Sequence, residues 1–443
     1  VDVSAGPFGL DVGTVEATHG VGGRDHAGGL GRGVARGLAA PVPWISAIVL
    51  AGVVTATYPV GGFDGAYIQT EGTGGDVDLA THTASDGLFV FSKDFAAAVK
   101  VGDHVEVTGT VKEFNGLTEL VPAAGTWKVL DTPAQAVKAS NVAFPLSEAQ
   151  RETFEGMLLA PQGAYTITNN YATNQYGEIG LAAGTSALPQ PTDVVRPRTP
   201  EYTALVADNA RRLVTLDDGS SANILTSGKD VAVPWLTATN EVRQGARATF
   251  SSPVVLDYRF GWKLQPTARL IGTEGAPATF SSTRTTAPEP VGGQVKLGSF
   301  NVLNYFPTTG EAYVASGRGT CKYYDDRAGN HITNDECTNN GPRGAATAAS
   351  LARQQVKIVK AFSTLDADIV AVEELENSAA LGQPRDAALN TFVAALNAHE
   401  GSDVWAGALS PATVPTSGSD VIRTAFVYKK AAVQTVGGST ILD

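Results

Sequence analysis

Residues 367–377 read Ala-Asp-Ile-Val-Ala-Val-Glu-Glu-Leu-Glu-Asn. Ile369, Val370, Ala371 and Val372 form an apolar run with no polar alternation, the composition of a strand buried on both faces. The run then empties into Glu373, Glu374 and Glu376. A strand of this kind belongs to an α/β layer, whose functional side chains gather at strand ends, where loops vary while the sheet stays rigid. Just before it, residues 345–365 carry Leu351, Ile358, Phe362 and Leu365 at spacings of seven, four and three, which is one face of a helix. Upstream, Val295-Lys-Leu-Gly-Ser-Phe300 predicts a first strand that runs out into Asn301. Downstream, a helix is expected over about 386–399 and a strand at Thr424-Ala-Phe-Val-Tyr428.

Before this α/β segment the pattern changes. Ser281-Ser-Thr-Arg-Thr-Thr-Ala-Pro-Glu-Pro290 marks a linker, residues 276–292, between an N-terminal β-rich part and an α/β part at 293–443. Residues 45–135 hold short β-type runs separated by Gly turns: Ala47 to Tyr58, Gly65-Ala-Tyr-Ile-Gln-Thr70, Gly87-Leu-Phe-Val-Phe91, Asp103 to Lys112, and Thr118-Glu-Leu-Val121. The alternation in His104-Val-Glu-Val-Thr108 is the period-2 mark of a strand with one buried face. Five such strands with a short helix at 94–99 suit a small barrel of the oligonucleotide/oligosaccharide-binding type. Residues 146–275 form a second β-rich domain, with strands expected at Phe154-Glu-Gly-Met-Leu-Leu159, Ala164 to Thr168, Leu213 to Leu216 and Val254 to Tyr258. Residues 1–44 read as a Gly-rich tail. The fold class expected is multidomain, all-β at first and α/β at the end.

The 49 Gly and 23 Pro agree with a turn-rich, β-heavy chain. Lys and Arg number 32 against 44 acids, a formal net charge of -12, which argues against holding nucleic acid by bulk electrostatics. Any such contact would be local, or bridged by a cation that inverts the sign of a carboxylate site. The longest apolar run, Trp44 to Val54, is too short for a membrane span. Cys321 and Cys337 lie in one polar loop with little core of its own. In a secreted protein they would form a disulfide, in a cytosolic one two free thiols; the poor core favours the disulfide and an address that is secreted or at the cell surface.

The carboxylates after Val372 allow two readings. One of them, on a rigid strand end, would anchor a hard cation through oxygen, with a neighbouring Asn amide to orient it. Alternatively, they cap the following helix and face water.

Several stretches together resemble the endonuclease/exonuclease/phosphatase superfamily, and within it the large secreted bacterial nuclease branch, related in fold to pancreatic deoxyribonuclease. They are Ser299-Phe-Asn-Val-Leu-Asn-Tyr-Phe306, Arg343-Gly-Ala, Arg353-Gln354 before Lys357-Ile-Val, the stretch 367–377, and Asp420 to Lys429. Phe154-Glu-Gly-Met, Leu216-Asp-Asp-Gly and Leu256-Asp-Tyr-Arg-Phe-Gly261 match the accessory β part of that branch. The resemblance implies that residues 293–443 are the N-terminal half of a four-layer α/β sandwich. It implies that Asn301 and Glu374, rather than Glu373, are catalytic and hold Mg²⁺ or Mn²⁺, and that the substrate is nucleic acid, DNA first. The metal would stabilise charge on the scissile phosphate. Arg343 is a candidate phosphate contact or a solvated charge; Arg353 reads as solvated, and Arg423 as either a salt bridge or a DNA contact.

The family also uses a His on a later strand, an Asp-x-Asn and a terminal Ser-Asp-His. None of the six His (His19, His26, His82, His104, His331, His399) follows Tyr428. The expectation is a truncated chain that does not turn over alone. The alternative is a non-catalytic surface binding module with a vestigial nuclease-like segment; a third reading keeps the enzyme but makes it a lipid or nucleotide phosphatase. Tyr67, Phe89, Phe91 and Phe114 are candidate stacking groups on the barrel, or core. The acidic stretch at 71–78 is either a Ca²⁺ loop or a solvated hairpin, and His331 between the two Cys is a weak zinc candidate.

Overall fold

Hydrophobic alternation builds the first unit strand by strand. In the computed structural model, which describes residues 48–229, 231–411 and 420–441, the chain divides into compact units at 1–282 and 283–443. The Gly-rich tail lies outside the described residues. The fold is mostly β, with eight helices among the described residues, none long and apolar enough to cross a membrane.

Strands β1 (Ile48–Tyr58), β2 (Gly65–Gln69), β3 (Gly87–Phe91), β4 (His104–Phe114) and β5 (Leu117–Val129) close into a barrel in the order β1-β2-β3-β5-β4. Val105 and Val107 face its core, while His104 turns outward and its Nδ1 meets the Thr132 carbonyl. Helix α1 (Lys93–Ala98) starts at Ser92, whose hydroxyl accepts the Phe95 N–H, and drops Phe95 among Leu50, Val54, Ile68, Val90 and Leu120. Two of the expected stacking aromatics are not available. Tyr67 and Phe89 are buried with Tyr58 and Phe63, under an Arg259 guanidinium that lies 3.8 Å from the Phe63 ring centre and 4.9 Å from that of Phe89. Only Phe91 and Phe114 stay exposed.

A nine-stranded sheet follows, in the order β14-β11-β8-β9-β10-β13-β12-β7-β6. Its strands are β6 (Ser140–Ala143), β7 (Leu158–Gln162), β8 (Tyr165–Asn169), β9 (Ile179–Ala183), β10 (Leu213–Leu216), β11 (Arg247–Phe250), β12 (Val254–Tyr258), β13 (Trp262–Pro266) and β14 (Ala278–Phe280). Helices α2 (Glu148–Glu152), α3 (Thr173–Tyr176), α4 (Pro191–Val194) and α5 (Pro200–Arg212) lie between them in the chain. Two expectations need correction here. The strand expected from Phe154 begins only at Leu158, because Gly156 turns the chain at φ 75° and its N–H is spent on the Leu256 carbonyl. The expected linker is also shorter, since residues 278–280 pair with β11.

The second unit contains β15 (Leu297–Tyr305), α6 (Gly310–Ala315), β16 (Cys321–Asp325), β17 (His331–Cys337), α7 (Ala348–Leu365), β18 (Ile369–Glu376), α8 (Ala387–Glu400), β19 (Trp405–Gly407) and β20 (Ile422–Lys429). Its main sheet runs β15-β18-β20-β19, with β15 and β18 parallel and the other pairs antiparallel. The α7 face read from the sequence packs as expected: Ile358 and Phe362 are buried, and Leu351 and Leu365 pack against the same core. That core also takes Val370, Val372, Leu389, Phe392, Leu396, Trp405 and Val427. The β18 strand is not buried on both faces. Val370 and Val372 point into the core, but Ile369 and Ala371 are half-buried, and on neighbouring strands Leu297 and Phe426 are exposed. The cysteine segment is a β-hairpin rather than a loop, with β16 and β17 paired and Cys321 opposite Cys337.

Candidate metal centre at the strand exit

The parallel pair β15 and β18 stays in register from Leu297 opposite Ile369 to Asn301 opposite Glu373, and then both strands break. The next partners are Tyr305 and Leu375, so residues 302–304 stand against Glu374 alone. At this bulge Leu303, Asn304 and Glu374 adopt φ of 50°, 51° and 57°, the left-handed region that Asn tolerates but that Leu and Glu rarely enter. Such a conformation costs roughly 1–3 kcal/mol per residue and persists only where its surroundings impose it. Val302 and Tyr305 pin the bulge into the core on either side. The Asn301 Oδ1 accepts the Leu303 N–H at 2.8 Å, the Asn304 N–H donates to Glu374 Oε2 at 3.1 Å, and Gln354 Nε2 donates to the Leu303 carbonyl at 2.7 Å.

The three carboxylates of the exit have separate roles. Glu376 is buried, and its oxygens accept from the Thr308 N–H and the Ser378 hydroxyl, each at 2.8 Å, which ties down the chain after β15. Glu373 accepts from the Ser299 hydroxyl at 2.6 Å. Glu374 spends one oxygen on the bulge and keeps Oε1 without a hydrogen bond among the described residues. None of them caps α8, whose N-cap residue is Asp386.

The two ends of β18 differ in charge balance. At its entry, Asp366 is bonded by Lys296 and Lys429, whose hydrogen bonds hold its carboxyl down to about 2. At its exit, none of Glu373, Glu374 and Glu376 meets a Lys or Arg among the described residues. One carboxylate oxygen free of protein partners among the described residues, one position beyond the Asn301–Glu373 pair, fits a hard divalent cation that keeps most of its water shell, as Mg²⁺ does. It does not fit an all-protein cage: among the described residues no group of three or more His, Cys, Asp or Glu could hold an ion.

Arg343 is exposed and pairs with Asp420 at 2.7 Å. Arg353 donates to Ser350 Oγ at 2.8 Å. Arg423 is bridged to Asp386 at 3.0 Å and also donates to Ser410, the salt bridge rather than a free DNA contact. Cys321 and Cys337 form a disulfide. His331 is bonded to Asp325 at 2.6 Å and stacked on Tyr323, so with both sulfurs joined no zinc site forms there. In the acidic stretch, Glu71, Asp76 and Asp78 accept from Gln135, Asn141 and Ala80 respectively, three separate partners rather than one shared point.

No protein-family model, curated protein or solved structure matches this chain.

Sequence reasoning missed a buried polar cluster between barrel and nine-stranded sheet. Asp257 accepts from Tyr67 at 2.5 Å, from Gln265 at 3.1 Å and from Arg259 at 3.3 Å. Gln265 also donates to Asp217 at 3.0 Å, which Lys263 reaches at 3.2 Å while bonding Glu178. Every charge is met by protein, so the cluster is a clamp rather than an open site. The Asp-Asp-Gly and Asp-Tyr-Arg-Phe-Gly stretches were its only trace in the sequence.

Proposed function

We propose that this chain carries the metal-holding half of a secreted, metal-dependent phosphodiesterase acting on nucleic acid, with DNA as its substrate. The observation that carries the reading is the exit of β18. There a strained double bulge, one position past the Asn301–Glu373 pair, leaves Glu374 Oε1 without a hydrogen bond among the described residues, and none of the three carboxylates meets a Lys or Arg there. When bound, Mg²⁺ or Mn²⁺ would stabilise charge developing on a scissile phosphate. Glu374 would hold the ion, Asn301 would orient it or the phosphate, and Arg343, exposed on the preceding loop, would meet a flanking phosphate by exchanging Asp420 for it.

The acid–base groups of such a reaction lie outside this set. The described histidines stand elsewhere: His82 on the Thr153 carbonyl, His104 on that of Thr132, His331 on Asp325, and His399 in the last turn of α8. The chain by itself is therefore proposed to bind metal without turnover. The open sheet face bearing Leu297 and Phe426 supports the further proposal that the α/β unit is half of a nuclease-type sandwich. The disulfide is compatible with secretion.

The test is a Mn²⁺ titration of this chain, followed by electron paramagnetic resonance. Saturable one-site binding that Glu374→Gln weakens at least tenfold supports the reading; equal binding by both proteins ends it. In a protein that also carries the acid–base groups, the same substitution should abolish chelator-sensitive plasmid nicking.

A further inference from the structure

Gln354 lies on α7, but its side chain serves β15. Its Nε2 donates to the Leu303 carbonyl at 2.7 Å, while its Oε1 is buried without a hydrogen-bond partner among the described residues. The orientation of the amide is therefore dictated by that single bond, since only the N–H end can face a carbonyl oxygen. Leu303 is the first of the two consecutive left-handed residues on β15, and its own side chain is exposed, so packing does not hold it there. What holds it is polar: Asn301 grips its N–H and Gln354 its C=O.

The next peptide N–H, that of Asn304, is the donor that fixes Glu374 Oε2. A carboxylate on a terminal torsion has a broad, shallow rotational well, so without that donor Glu374 has no preferred orientation. A chain of contacts thus runs from the Gln354 amide through the peptide between Leu303 and Asn304 to the Glu374 carboxylate. Resting on the cation reading above, we propose that Gln354 is a positioning residue, which clamps the left-handed turn so that Glu374 presents Oε1 to the divalent cation. Groups that orient a metal ligand in this way commonly change metal affinity 10–100-fold when removed.

The experiment compares wild type, Gln354→Met, Glu374→Gln and the double variant Gln354→Met/Leu303→Gly by Mn²⁺ titration and by thermal midpoint. Gln354→Met is expected to weaken Mn²⁺ about tenfold while leaving the midpoint nearly unchanged. Glycine adopts positive φ without strain, so adding Leu303→Gly should restore most of the affinity, a recovery that a merely structural role for Gln354 would not give. Should Gln354→Met fail to fold, Gln354→Ala carries the same comparison with less bulk. Wild-type affinity in the Gln354 variant, with Glu374→Gln still defective, overturns the positioning role and leaves the site standing. Loss without recovery in the double variant overturns the route through the turn. If wild type binds no Mn²⁺, or Glu374→Gln binds it unchanged, the site reading falls and the inference with it.

Discussion

Glu155 is the most useful residue for testing how the barrel is held to the nine-stranded sheet. It sits in the turn before β7, where Gly156 packs its backbone against Gly87 of the barrel, and its Oε1 accepts the Thr118 N–H of β5 at 3.2 Å. Burial pushes its carboxyl from 4.5 up to about 8; the Thr118 N–H opposes the shift, and Glu152, Glu113 and Asp257 add to it. The folded state thus holds a proton that the unfolded chain has lost. A raised acid stabilises fully below the unfolded value, and its contribution is lost as pH rises through the folded one. At about 1.4 kcal/mol per pH unit, three units between pH 5 and 8 amount to about 4 kcal/mol at most from this group.

Glu155→Gln keeps the carbonyl acceptor for Thr118 and removes the titration. Urea denaturation followed by tryptophan fluorescence, between pH 5 and 9, should show wild type losing stability steadily up to about pH 8. The variant should lose markedly less and be the more stable protein at pH 9. Parallel curves for the two proteins would refute the reasoning. Asp218, pushed up to about 8 by burial and by Asp217, contributes a slope of the same sign to both, so the difference between the curves isolates Glu155.

Asp257→Ala leaves the Arg259 charge buried without its carboxylate and should destabilise the first unit by about 3–5 kcal/mol in chemical denaturation; a loss under about 1 kcal/mol would mean that Arg259 finds water. Reducing the Cys321–Cys337 bond, which closes a loop of sequence separation 16, should cost the second unit about 3 kcal/mol, read as a lower thermal midpoint in dithiothreitol. An unchanged midpoint would show that the hairpin holds without it. Replacing Glu376 by Ala removes the acceptor for Thr308 and Ser378 and should lower the midpoint of the second unit, whereas Glu374→Gln should spare it; the reverse order would exchange their roles.

Much of the architecture was legible in residue order. The five barrel strands were readable as short β-type runs set off by Gly turns, with period-2 alternation marking the strand that carries His104 to Thr108. The long helix was readable because Leu351, Ile358, Phe362 and Leu365 fall on one face in any straight helix. Local pattern marked the cluster of glutamates after Val372, but only the family resemblance singled out Glu374 among them. The extent of β18 was not legible: backbone pairing with β20 continues through Glu376, and ladder hydrogen bonds do not depend on side-chain polarity.

Composition, period and turn chemistry therefore determined roughly where most strands and helices lie, since these depend on neighbours within a few residues. Tertiary structure alone decided what their side chains do. Tyr67 and Phe89 became core rather than a stacking surface because Arg259 and Asp257, far along the chain, close over them. Leu303 and Glu374 took a left-handed backbone conformation that nothing in their own sequence favours, beside an Asn304 that tolerates it. Two strands distant in sequence, and an amide from a third element, hold it by hydrogen bonds that no local pattern encodes.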